Sequence, residues 1–106
     1  MNILGIMSFK SLKKVFRHLE FVTKGREGAV IYHEGLKQIE FYMGMGGNNV
    51  SFYLGIPSKA EWKSATGFSL SSRDEILSYV AEQTPKAQAP YCTYQINETD
   101  ILFIRH

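Results

Sequence analysis

The sequence predicts an α+β fold: one domain over residues 1–106, with a five-stranded, mainly antiparallel sheet and helices packed on one face. Three observations predict it. Apolar and polar residues alternate through the middle of the chain, as they do in half-buried strands. Two Ser-x-x-Glu boxes follow, Ser58–Glu61 and Ser72–Glu75, and each marks the start of a helix. Beyond Pro90, two short runs of β-branched and aromatic residues flank a polar turn, which reads as a hairpin. The order is helix, three strands, two helices, two strands. Hairpin-linked strands with segregated helices make an α+β domain.

From Ser8 to Phe21 the apolar residues Phe9, Leu12, Val15, Phe16 and Leu19 fall at helical spacing, with Lys10, Lys13, Lys14 and Arg17 on the other side. Thr23-Lys24-Gly25 then offers a cation and a glycine where a helix end needs a cap. The first seven residues suit either an extension of this helix or an edge strand.

Ala29 to His33 is a short strand closed by Glu34-Gly35. From Leu36 to Met45 the period is two: Ile39, Phe41, Met43 and Met45 share one face, with Gln38, Glu40, Tyr42 and Gly44 opposite. It recurs from Val50 to Ile56, where Val50, Phe52, Leu54 and Ile56 oppose Ser51, Tyr53 and Gly55. Gly46-Gly47-Asn48-Asn49 between them tolerates the positive φ of a hairpin loop.

Ser58 and Glu61 open a short helix that holds Trp62 and ends near Thr66-Gly67. Ser72 opens a longer one over 72–84, with Ile76, Leu77, Val80 and Ala81 on one side. Pro85 ends it, because proline lacks an N–H and clashes with the preceding turn, so Pro85 to Pro90 is read as a loop. Tyr91 to Ile96 and Ile101 to Arg105 form the second hairpin around Asn97-Glu98-Thr99-Asp100. The unbroken apolar run Ile101–Ile104 reads as a central strand covered on both sides. Helices 8–21 and 72–84 then cover one face of the sheet and leave Tyr42, Tyr53 and Glu40 on the other.

Composition bounds the function. With 106 residues, 44% apolar and 21% charged, the chain can build one core and is not of disordered composition. Its apolar runs fall far short of the ~20 residues that span a bilayer. A net charge of +2 is weak for a dedicated nucleic-acid binder, although the basic excess is N-terminal. Cys92 is the single cysteine, which excludes an intrachain disulfide and a cysteine zinc cluster. The start lacks the basic and apolar regions of a signal peptide, so the expectation is a cytoplasmic protein. On that reading the triplets Asn49-Val50-Ser51 and Asn97-Glu98-Thr99 are chance glycosylation matches.

Chemical motifs are sparse. Gly44-Met45-Gly46-Gly47 lies between strands and opens no helix, so it reads as hairpin punctuation rather than a phosphate cradle. Cys92 with His18, His33 or His106 is the nucleophile candidate, but it sits in a strand where free cysteine behaves as a small hydrophobe. His33 and Glu34 are adjacent and point to opposite faces, which does not suit a shared metal. Asp74 and Glu75 in the first turn complement a helix dipole. No catalytic residue, cofactor or metal is therefore assigned.

Two surfaces remain. Tyr42 and Tyr53, with Glu40, lie opposite the core positions, and exposed tyrosines suit an interface. Lys10, Lys13, Lys14 and Arg17 form a candidate anion-binding face. The leading expectation is a non-catalytic protein-interaction module, self-associating as a homodimer or binding another protein. The alternatives are an accessory nucleic-acid binder using those four cations and a small-ligand or enzymatic pocket near Trp62.

Overall fold

The structure, a computed structural model, describes residues 16–106. Strands β1 (Arg17–Lys24), β2 (Glu27–Glu34), β3 (Lys37–Met45) and β4 (Val50–Gly55) come first. A short helix α1 (Trp62–Thr66), a 3-10 turn (Leu70–Ser72) and the long helix α2 (Arg73–Gln88) follow, then β5 (Thr93–Ile96) and β6 (Asp100–Ile104). All six strands pair antiparallel in the order β1-β2-β3-β4-β6-β5. The α+β class stands, but the sheet has six strands rather than five, and no helix precedes them among the described residues.

β1 accounts for both differences. Residues 17–21 of the expected helix are strand, and its part over 8–15 lies outside the described residues. Leu19 and Phe21 recur with period two, pack against the core and pair with Tyr32 and Val30. The eight-residue ladder to β2 pairs the half of its backbone groups that face inward, and the aromatic and β-branched run Phe21-Val22-Thr23 suits a pleated surface. Gly25 therefore serves a hairpin, not a helix cap. It sits at φ 65° and Gly35 at φ 62°, each first in a two-residue loop, as type II′ turns require.

β3 and β4 form where the alternation places them, and β2 runs over Glu27–Glu34, longer than the expected Ala29–His33. Val30 and Tyr32 from β2, Ile39 and Phe41 from β3, and Leu54 from β4 are buried beneath Ile76, Leu77, Val80 and Ala81 of α2. Ile101 and Phe103 of β6 complete this layer, and Phe103 stacks on Phe52 at 4.5 Å. A bulge near Ser51 breaks the alternation in β4, because Val50 pairs with Ile104 and Phe52 with Phe103. Val50 consequently joins the face opposite α2, contrary to the sequence reading, and Ser51 meets the buried Cys92.

The helical segment differs in detail. Ser58 Oγ bonds the Glu61 side chain, and α1 begins only at Trp62. Ser72 Oγ donates back to the Ser69 carbonyl at 2.7 Å and gives α2 no side-chain cap. Pro85 does not end α2, nor is 85–90 a loop. The helix runs to Gln88, and the Ala89 N–H donates to the Pro85 carbonyl at 2.8 Å. Proline costs one helical bond, but Pro85 and Ala89 are both buried, and that packing carries the helix onward.

Arg73 ties the ends together. Its guanidinium is buried beside the Trp62 ring and donates to the carbonyls of Pro57 at 3.0 Å and Glu98 at 2.9 Å. β6 lies inside the sheet as expected, but it is not covered on both sides. Ile101 and Phe103 are buried while Leu102 and Ile104 are only half-buried, because the described helices pack on one face.

Candidate functional site

Antiparallel pairing puts directly opposed residues on one face, so the register gives what the face opposite α2 displays. One row runs Val22, Ala29, Tyr42 across β1, β2 and β3, and a second runs Tyr53, Leu102 across β4 and β6. The tyrosines join the rows, with ring centroids 6.1 Å apart. Tyr53 packs over Gly44, where an added Cβ would lie 2.7 Å from the Tyr53 Cζ. That close approach is what the glycine in Gly44-Met45-Gly46-Gly47 supplies, and the loop belongs to the β3–β4 hairpin.

Tyr42 is 46% exposed, and its hydroxyl donates to Glu27 Oε1 at 3.0 Å. That bond, more than burial or charge, raises the phenol above its ordinary value. Glu40 is exposed and pairs with Ile31. Tyr42, Tyr53 and Glu40 thus share one face, together with Val22, Ile31 and Leu102, which the sequence reading had not grouped with them.

At the β1–β2 end of this face His18 stacks on His33, with centroids 4.6 Å apart and planes 8° apart. His33 Nε2 meets Glu20 Oε1 at 2.8 Å. His106 Nε2 meets Thr93 Oγ1 at 2.8 Å. The Cys92 thiol is buried and donates to Ser51 Oγ at 3.6 Å. The three histidines are thus engaged elsewhere, and the cysteine–histidine pairing weighed from the sequence does not assemble.

The candidate anion-binding face fares differently. Lys10, Lys13 and Lys14 lie outside the described residues. Arg17 is on β1, its side chain only 10% exposed, with Nη1 bonded to Glu75 Oε1 at 3.1 Å and its guanidinium 4.0 Å over the Tyr79 ring. It anchors the strand to α2 instead of presenting a charge to phosphate. Glu75, read as a dipole partner, is the acceptor. Nearby, Tyr32 is buried and donates to Glu34, and burial first, then that bond and the Glu34 charge, push its phenol above the ordinary value against the pull of Arg17.

Trp62 is wholly buried, and its indole N–H donates to the Ser69 carbonyl at 3.0 Å. It is a core residue, and the cavities beside Pro85, Met43 and Tyr42 are lined by other residues. One cavity, of about 310 Å³, instead opens beside the end of α2 and is lined by Met43, Met45, Phe52, Arg26 and Arg105. Sequence reasoning missed it because its residues come from three separate stretches, 23–27, 43–52 and 88–105, and no local pattern joins them.

No protein-family model matches the chain, and no curated protein or solved structure is significantly similar to it. None of the described helices is long and apolar enough to cross a membrane.

Proposed function

We propose that the chain is a non-catalytic protein-interaction module that works as a homodimer, two copies meeting through the face of the sheet opposite α2. The observation that carries this reading is the apolar band Val22, Ala29, Tyr42, Tyr53, Leu102, which crosses five of the six strands. Six strands ~4.8 Å apart give a face about 24 Å wide, about 26–30 Å long across β1 to β3 and shorter across β4 to β6. That footprint, with its side-chain relief, is of the order of the ~800 Å² per partner that a stable interface uses.

The rim suits self-pairing. Lys24, Glu27 and Glu40 edge the band, so a two-fold related copy can set each lysine against a carboxylate. Tyrosines at the centre offer large contact area with little rotamer entropy to lose.

Light scattering and sedimentation at micromolar concentration test the proposal. The expected mass is twice that of the chain, falling to one chain in Tyr53→Glu with the circular dichroism spectrum unchanged. A wild-type monomer, or a Tyr53→Glu dimer, overturns it.

A further inference from the structure

Met45 lies on the helix-covered face of β3, in step with Ile39 and Phe41, yet it is 61% exposed. The bare methionine marks the cavity of about 310 Å³ beside the end of α2. Met43, Met45 and Phe52 give this cavity an apolar wall, and methionine reshapes readily around an aliphatic chain. Arg26, from the β1–β2 turn, and Arg105, just beyond β6, line the same space.

The charge there is positive. Glu27 also borders the cavity, but its carboxylate accepts the Tyr42 hydroxyl on the opposite face. The carbonyls at the end of α2 contribute roughly half a negative charge, less than either guanidinium. Arg105 gives one N–H to the Asn48 carbonyl at 2.7 Å and keeps the rest of its donor fork. A guanidinium fork matches the two oxygens of a carboxylate.

We infer that this cavity is a binding site for a medium-chain aliphatic carboxylate, with its chain against Met43, Met45 and Phe52 and its head group between Arg26 and Arg105. At ~30 Å³ per water-sized group the space holds about ten non-hydrogen atoms, which is the size of octanoate. The site lies on the covered face and shares only Glu27 with the proposed dimer surface.

Amide and methyl NMR titrations of the full chain with octanoate, 1-octanol and octylamine test the inference. Saturable shifts at Met43, Met45 and Phe52 are expected, with octanoate binding about tenfold tighter than octanol and octylamine weakest. Arg26 is exposed in a turn, so Arg26→Gln is expected to keep the remaining spectrum, reduce octanoate to the octanol level and leave octanol unchanged. Absence of saturable shifts at these residues overturns the inference. So does equal binding of the three probes by the wild type, or octanoate binding that Arg26→Gln does not weaken.

Discussion

The two faces of the sheet come from the same six strands and differ in almost everything else. On one, Val30, Tyr32, Phe41, Leu54 and Phe103 are 0–1% exposed beneath α2. On the other, Val22, Ile31, Tyr53 and Leu102 stay half-buried, and Tyr42 is 46% exposed. A strand sends successive side chains to opposite sides, so one segment serves both stability and recognition without mixing them. Substitutions at neighbouring positions in one strand therefore have effects of different kinds.

The largest expected effect is on the covered face. Phe103→Ala removes a buried ring stacked on Phe52 and costs about 3–5 kcal/mol in urea denaturation. That is much of the 5–15 kcal/mol typical of such a domain. Arg73→Ala comes next, at about 2–3 kcal/mol, because two carbonyls lose a charged donor in a buried place. A loss under ~0.5 kcal/mol, of the size usual for unimportant surface positions, would show that Arg73 does not hold the helical segment to the β5–β6 turn.

A smaller, pH-dependent effect separates Tyr32 from the open-face tyrosines. Its folded phenol stays neutral above the value near 10 at which the unfolded one ionises. Its contribution is therefore complete below about pH 10 and is lost as pH rises beyond that, by up to ~1.4 kcal/mol per pH unit. Tyr32→Phe is expected to flatten this alkaline decline in stability measured from pH 9 to 11. Equal slopes in the two proteins would break the assignment. Smallest of all, Tyr53→Glu should abolish self-association yet shift the urea midpoint by less than the equivalent of ~1 kcal/mol when both proteins are diluted to where the wild type is monomeric. A large loss of stability would mean that the open face is a second core rather than an interface.

Alternation made β3 and β4 beyond its bulge legible, together with the sides taken by Tyr42, Tyr53 and Glu40, because a half-buried strand writes its pattern locally. The rest depended on contacts that no window of sequence contains. Leu12, Val15, Phe16 and Leu19 suit a helix, whereas the strand at 17–24 is decided by its ladder to β2. Arg17 looked like a free cation until Glu75, far along the chain, was placed beside it. Pro85 obeyed a local rule that burial against the sheet overrode. The bulge at Ser51 moved Val50 to the other face, and nothing in its neighbours announced it.

The insertion of β6 between β4 and β5 has a kinetic consequence. The first four strands can zip together through short turns, and β5 can fold back on β6 in the same way. Joining the two pieces means closing a loop that contains both helices, with Leu54 meeting Ile101 across it. The entropy of that closure is lost before any seam contact forms, which makes the seam the slow step of refolding. Until it closes, each piece carries an unpaired strand edge, the feature that lets partly folded chains exchange segments with one another.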